Sequence, residues 1–131
     1  MRGTSGSGAE TATFVSPSVT LDGFGAAVAR SRGLALGQLG PLDVLTVQTR
    51  NTLYRIVVPR PPDPEILVQG GVFFPHRTRA RLAGSSLGGS LLKVSWIGAG
   101  FRMEFYYAGQ RIITSPVRSV EVEGDAVPGP F

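Results

Sequence analysis

Apolar and polar residues alternate through most of the segment from Asp43 to Val122, and glycine-bearing turns punctuate the alternation. The pattern is clearest in Val44–Thr49, Thr52–Val58, Leu91–Ile97 and Phe101–Tyr106. A period of two puts successive side chains on opposite faces, so each run predicts a strand with one buried face. Arg50-Asn51 predicts a tight turn between the first two strands, because asparagine tolerates positive φ. Pro59, Pro61, Pro62 and Pro64 then exclude a sheet interior and predict a stiff, extended loop. Glu65–Gln69 reads as a short strand ending at Gly70-Gly71, with Val72-Phe73-Phe74 continuing it after a bulge. Pro75–Thr78 reads as a turn or loop, Arg79–Ala83 as a strand with one wet face, and Gly84–Ser90 as a glycine-rich connection.

Leu91–Ile97 and Phe101–Tyr107 predict a hairpin across Gly98-Ala99-Gly100. In that hairpin Leu92, Val94, Trp96, Phe101, Met103 and Phe105 share the core face, while Lys93, Ser95, Arg102 and Glu104 face water. Arg111–Thr114 and Val117–Val122 supply the last strands, parted by Ser115-Pro116. About six to eight short antiparallel strands joined by local turns predict an all-β (mostly β) domain. A small SH3-like barrel is the first expectation, and a split barrel or small sandwich the next.

The flanks read differently. Residues 1–13 are rich in Gly, Ser and Thr, have too little apolar surface to order themselves, and predict a flexible tail. Residues 14–41 predict an N-terminal arm. Phe14 and Val15 form a short strand in it, Phe24–Arg32 holds a short helix favoured by Ala26–Arg30, and Leu34, Leu36 and Leu39 make an arm or edge strand. Residues 42–122 are the barrel domain, and residues 123–131, with their prolines and glycines, predict a second flexible tail.

At 131 residues the chain suits one domain and can bury a core without staples. Cysteine is absent, which excludes disulfides, thiolate zinc sites and a cysteine nucleophile and fits a reducing compartment. No apolar run reaches the length of a membrane span, and Met1–Glu10 lacks the apolar stretch of a secretory leader. The expectation is a cytoplasmic protein with no membrane partner. The net charge is +4 and the pI about 10.3, and Lys93 is the single lysine among 13 basic residues. Guanidinium forks suit phosphate, but heavy use of Gly, Ala, Arg and Pro is equally what a GC-rich genome writes.

Catalytic chemistry is thinly supplied. His76 is the only histidine, and the acids of the strand block (Asp43, Asp63, Glu65, Glu104 and Glu121) are scattered without ligand spacing. No catalytic residue, metal or cofactor is expected, and the chain reads as a non-enzyme. The densest basic segment is different. Arg77, Arg79 and Arg81 alternate, so a strand projects all three from one face. With Lys93, Arg102, the turn-tip Arg50 and His76 they are the candidate residues for an anion or nucleic acid, Phe73, Phe74 or His76 supplying a stacking ring. Aromatic neighbours Phe73-Phe74 and Tyr106-Tyr107 must each send one ring away from the core, which suits a docking patch or subunit contact.

Two short motifs carry a resemblance. Arg77-Thr78-Arg79-Ala80-Arg81 resembles the Arg-x-x-x-Arg motif of PilZ domains, small barrels that bind cyclic dinucleotides. Gly84-Ser85-Ser86-Leu87-Gly88-Gly89 resembles that family's Asp/Asn-x-Ser-x-x-Gly motif, with Ser86 and Gly89 in place. Gly84 stands where the acidic or amide residue belongs, and the two motifs lie closer together than in the family. The leading expectation is a non-catalytic module that binds a protein partner or itself as a homo-oligomer. A nucleic-acid-binding barrel with an arginine-lined strand face is the alternative. The resemblance implies a third reading, a cyclic-dinucleotide sensor.

Overall fold

The structure, a computed structural model, describes residues 20–123. The tail expected at 1–13, the short strand at Phe14-Val15 and residues 124–131 of the second tail lie outside the described residues. The chain runs through α1 (Leu21–Arg30), β1 (Gly33–Ala35), a 3-10 turn (Leu36–Gln38), β2 (Asp43–Thr49), β3 (Leu53–Val58) and β4 (Glu65–Gly70). It continues through β5 (Phe74–Ser86), β6 (Leu92–Val94), β7 (Trp96–Gly98), β8 (Arg102–Tyr107) and β9 (Gln110–Val122).

Six of these strands close a barrel. β2, β3, β4, β5, β8 and β9 each pair antiparallel with the next, and β9 returns to β2. The period-two pattern expected of this segment aims Leu45, Val47, Tyr54, Ile56, Val58, Ile66 and Val68 into one core with Phe74, Leu82, Met103, Phe105 and Ile112. Fully burying a valine, leucine, isoleucine or phenylalanine stabilises by about 1.5–3 kcal/mol, so this cluster dominates the fold. Phe74 and Phe105 meet edge to face with centroids 5.5 Å apart. Closure pairs both edges of each barrel strand along part of its length, which leaves little open ladder for another chain.

The arm packs beside this barrel. Thr20 caps α1, its hydroxyl accepting from the Gly23 N–H at 3.0 Å. The helix therefore starts three residues before the expected segment. It buries only Phe24, which joins Trp96 and Phe101 in a separate small cluster. Phe101 meets Trp96 and Phe24 edge to face, at 5.1 and 5.7 Å. β1 pairs with β7, Gly33 opposite Gly98 and Ala35 opposite Trp96. The Trp96 indole lies across both glycines, where a Cβ on either would overlap the ring. Leu36 crosses from the arm into the main core and is fully buried, its N–H donating to the Ser95 carbonyl at 2.9 Å.

Several local expectations are corrected. The hairpin of Leu91–Ile97 with Phe101–Tyr107 does not form, because β5 lies between β6 and β8: Ser85 faces Lys93 on one side and Met103 on the other. Ser95 takes φ +53° and breaks the expected strand into β6 and β7. Val94 is consequently exposed, and Trp96 and Phe101 leave the barrel core for the arm. Val72-Phe73 forms a turn rather than a continued strand, and Pro75–Thr78 belongs to β5. Pro75 fits because the ladder jumps from Gly70–Phe74 to Val68–Thr78, a stretch where no proline N–H is needed. Gly84–Ser86 also extends β5, and the two expected final strands are one strand, β9, with its register shift at Pro116. Glu104, expected to face water, is 3% exposed.

Candidate functional site

The β4–β5 ladder fixes the arginine row. Ile66 faces Ala80 on the buried side, while Leu67 faces Arg79 and Glu65 faces Arg81 on the outer side. Arg77 follows by alternation, and all three arginines are exposed. Arg79 Nε lies 3.8 Å from Glu65 Oε2, and the other Glu65 oxygen accepts from Arg60 at 3.1 Å. On the far side of β5, Arg81 faces Tyr106, and Tyr106 faces Arg111. One row across three strands thus reads arginine, tyrosine, arginine. A shallow cleft of about 440 Å³ beside it is lined by Arg79, Arg81 and Tyr106 together with Asp63 and Glu65.

The remaining candidates divide. Arg102 shares the outer face of β8 with Tyr106 but is half-buried, its Nη1 donating to the Thr114 carbonyl at 3.2 Å. Lys93 faces Ser85, whose hydroxyl is buried against the Trp96 carbonyl, so register puts Lys93 on the opposite side of the sheet from the row. Arg50 is exposed in the β2–β3 turn, and that turn is tied to β9 by its N–H on the Pro116 carbonyl at 2.9 Å. His76 is exposed on β5. Its ring makes no hydrogen bond to an acid among the described residues, and its carbonyl accepts from Thr78 at 2.7 Å. The structure therefore brings Arg77, Arg79 and Arg81 together, sets Arg102 farther along the same wall, and separates Lys93.

A buried polar cluster had no counterpart in the sequence reading. Glu104 receives a two-point fork from Arg111, Nε to Oε1 at 2.9 Å and Nη2 to Oε2 at 3.1 Å. The Ser86 hydroxyl donates to the same carboxylate and accepts from the Gly88 N–H at 3.1 Å. Hydrogen bonding to Glu104, reinforced by its charge, holds the Arg111 guanidinium above its ordinary range. Both Glu104 oxygens are taken up by Arg111 and Ser86, so the cluster clamps the glycine-rich loop to the wall rather than offering a free acid. Gly84, beside the cluster, lets the β6 backbone approach β5 closely. It faces Glu104 at φ +147°, and a Cβ there would overlap the Lys93 carbonyl oxygen.

The third surface is apolar. Val72 is 87% exposed and Phe73 55%, both in the β4–β5 turn, and Leu53 at the start of β3 is 56% exposed. Leu53, Gly71 and Pro75 line a cleft of about 430 Å³ whose charges, Arg55 and Glu123, are paired with each other. Among the described residues no group of three or more His, Asp or Glu side chains converges, and no helix is long and apolar enough to cross a membrane. No family model, curated protein or solved structure matches the chain.

Proposed function

We propose that the chain is a non-catalytic binding module that docks a protein, a second copy of itself included, through the apolar tip of Leu53, Val72 and Phe73. The observation that carries this reading is the pair Val72-Phe73. Two large apolar side chains stand in water on a turn, where neither adds to the core. Burying them against a partner is favourable by about 25 cal/mol for each Å² of apolar surface removed from water. The adjoining cleft is internally neutral, which suits a protein surface better than a polyanion. The working compartment is taken to be the cytoplasm, in keeping with a chain free of cysteine.

A cyclic-dinucleotide site draws less support from the same geometry. Gly84 has no room for the acidic or amide side chain of the second PilZ motif, and the Ser86 hydroxyl is engaged by Glu104.

Light scattering from low micromolar to millimolar protein tests self-docking. The mass is expected to rise with concentration and to return to monomer in the double variant Val72→Ser, Phe73→Ser. A photo-crosslinker placed at Phe73 in cells tests a different partner, with Leu21, an exposed leucine on α1, as the control position. A strict monomer that also gives no adduct specific to position 73 overturns the tip as a docking surface.

A further inference from the structure

The outer wall of β5, β8 and β9 carries a charge pattern that protein docking at the tip leaves unexplained. Arg77, Arg79 and Arg81 recur every second residue on one face of β5, about 6.8 Å apart by strand geometry. That interval is close to the phosphate repeat of an extended single strand. Glu65, the nearest carboxylate to the row by register, is held by Arg60 and reached by Arg79. Arg77 and Arg81 enter no ion pair among the described residues. Tyr106 stands between Arg81 and Arg111 and is 46% exposed. Arg111 is fixed by Glu104 through Nε and Nη2, and its Nη1 makes no hydrogen bond among the described residues.

We infer that this wall binds single-stranded nucleic acid, with the arginine row along consecutive phosphates and Tyr106 stacked on a base. Guanidinium forks pair with phosphate oxygens in two-point contacts, and an aromatic ring accepts any base face. A duplex fits poorly, since the row lies along a strand paired with β4 and β8 in the closed sheet, which among the described residues presents neither a helix nor a free two-stranded ribbon to enter a groove. An acidic peptide satisfies the arginines but makes no use of the exposed ring between them. The surface shares no residue with the apolar tip, so this inference stands or falls independently of the docking reading.

Fluorescence anisotropy of the full chain with labelled oligothymidylate and oligouridylate tests it, with circular dichroism as the check on each variant's fold. Three phosphate contacts predict a slope of log affinity against log salt of about −2. The double variant Arg77→Gln, Arg81→Gln should weaken binding and cut that slope by more than half. Tyr106→Ala should weaken binding about tenfold with the slope unchanged, and Tyr106→Phe should restore it. The Val72→Ser, Phe73→Ser variant should bind as the parent does. Any of three results overturns the inference: no binding by the folded chain at low salt; equal binding to oligoglutamate or to duplex DNA; or undiminished binding by both the arginine and the Tyr106→Ala variants.

Discussion

Two arginine–glutamate pairs on the barrel wall are built alike and differ in the burial of the carboxylate. Arg111 forks onto Glu104, and Arg55 forks onto Glu123 with bonds of 3.1 and 3.3 Å. Each carboxylate also accepts from a hydroxyl, Ser86 in one case and Thr46 in the other. The Glu104 side chain is 4% exposed and that of Glu123 38%, while Arg111 and Arg55 are alike at 46% and 49%. The chemistry is the same, but burial changes what each pair does. A dehydrated carboxylate must keep its partners, and its loss is felt by the whole wall. An exposed pair exchanges freely with water and salt.

The largest expected effect comes from filling the space that lets β6 approach β5 at Gly84, beside the buried pair. Gly84→Ala places a side chain on the Lys93 carbonyl in a left-handed conformation, and should destabilise by about 3–4 kcal/mol in urea denaturation. A midpoint near the parent's would show that the wall relaxes around the added methyl. Next comes the pair itself. Glu104→Ala strands the Ser86 hydroxyl and opens a polar gap, at a cost of about 3 kcal/mol, whereas Arg55→Ala should lower the denaturation midpoint only slightly. Equal effects from the two variants would erase the distinction drawn between them.

The smallest effect is the acid limb. Hydrogen bonds from Arg55 first, and then Thr46, hold the Glu123 carboxyl below its ordinary value of 4.5. Its folded-state value is depressed, so its contribution is fully present above that ordinary value. The contribution falls away as pH drops through the lower folded value, where the unfolded chain already binds the extra proton. Arg55→Ala should flatten the slope of stability against pH in that acid window, losing the small contribution present at neutral pH and matching the parent below the window. A curve that keeps its acid slope in Arg55→Ala would remove the pair from the pH response.

Parts of this architecture were legible in the residues. β2 and β3 appear close to where alternation and the Arg50-Asn51 turn put them, because one face of each is buried and the period is strict. The arginine row was legible for the same reason, since side-chain direction along one strand depends only on spacing. Pairing partners were not. Alternation tells which face a residue shares, and is silent about which strand lies alongside. The composition of Gly84–Ser90 hid the fact that β5 continues through Gly84 and inserts between β6 and β8. Tyr106 gains significance only from its register with Arg81 and Arg111, a relation across three strands. Glu104 misled because its outward direction was read correctly and its cover, Arg111 and Ser86, comes from two other strands.

The indole laid over Gly33 and Gly98 has an optical consequence. The chain has one tryptophan, and it stands at the seam where the arm meets the barrel rather than in the main core. Tyr54, packed near Phe105, is the chromophore that belongs to the barrel interior. Emission from Trp96 therefore reports whether the arm is seated. A red shift in that emission, with the barrel's circular dichroism unchanged, would mark the arm lifting from an intact barrel. The protein carries its own dye at the joint between its two packed units.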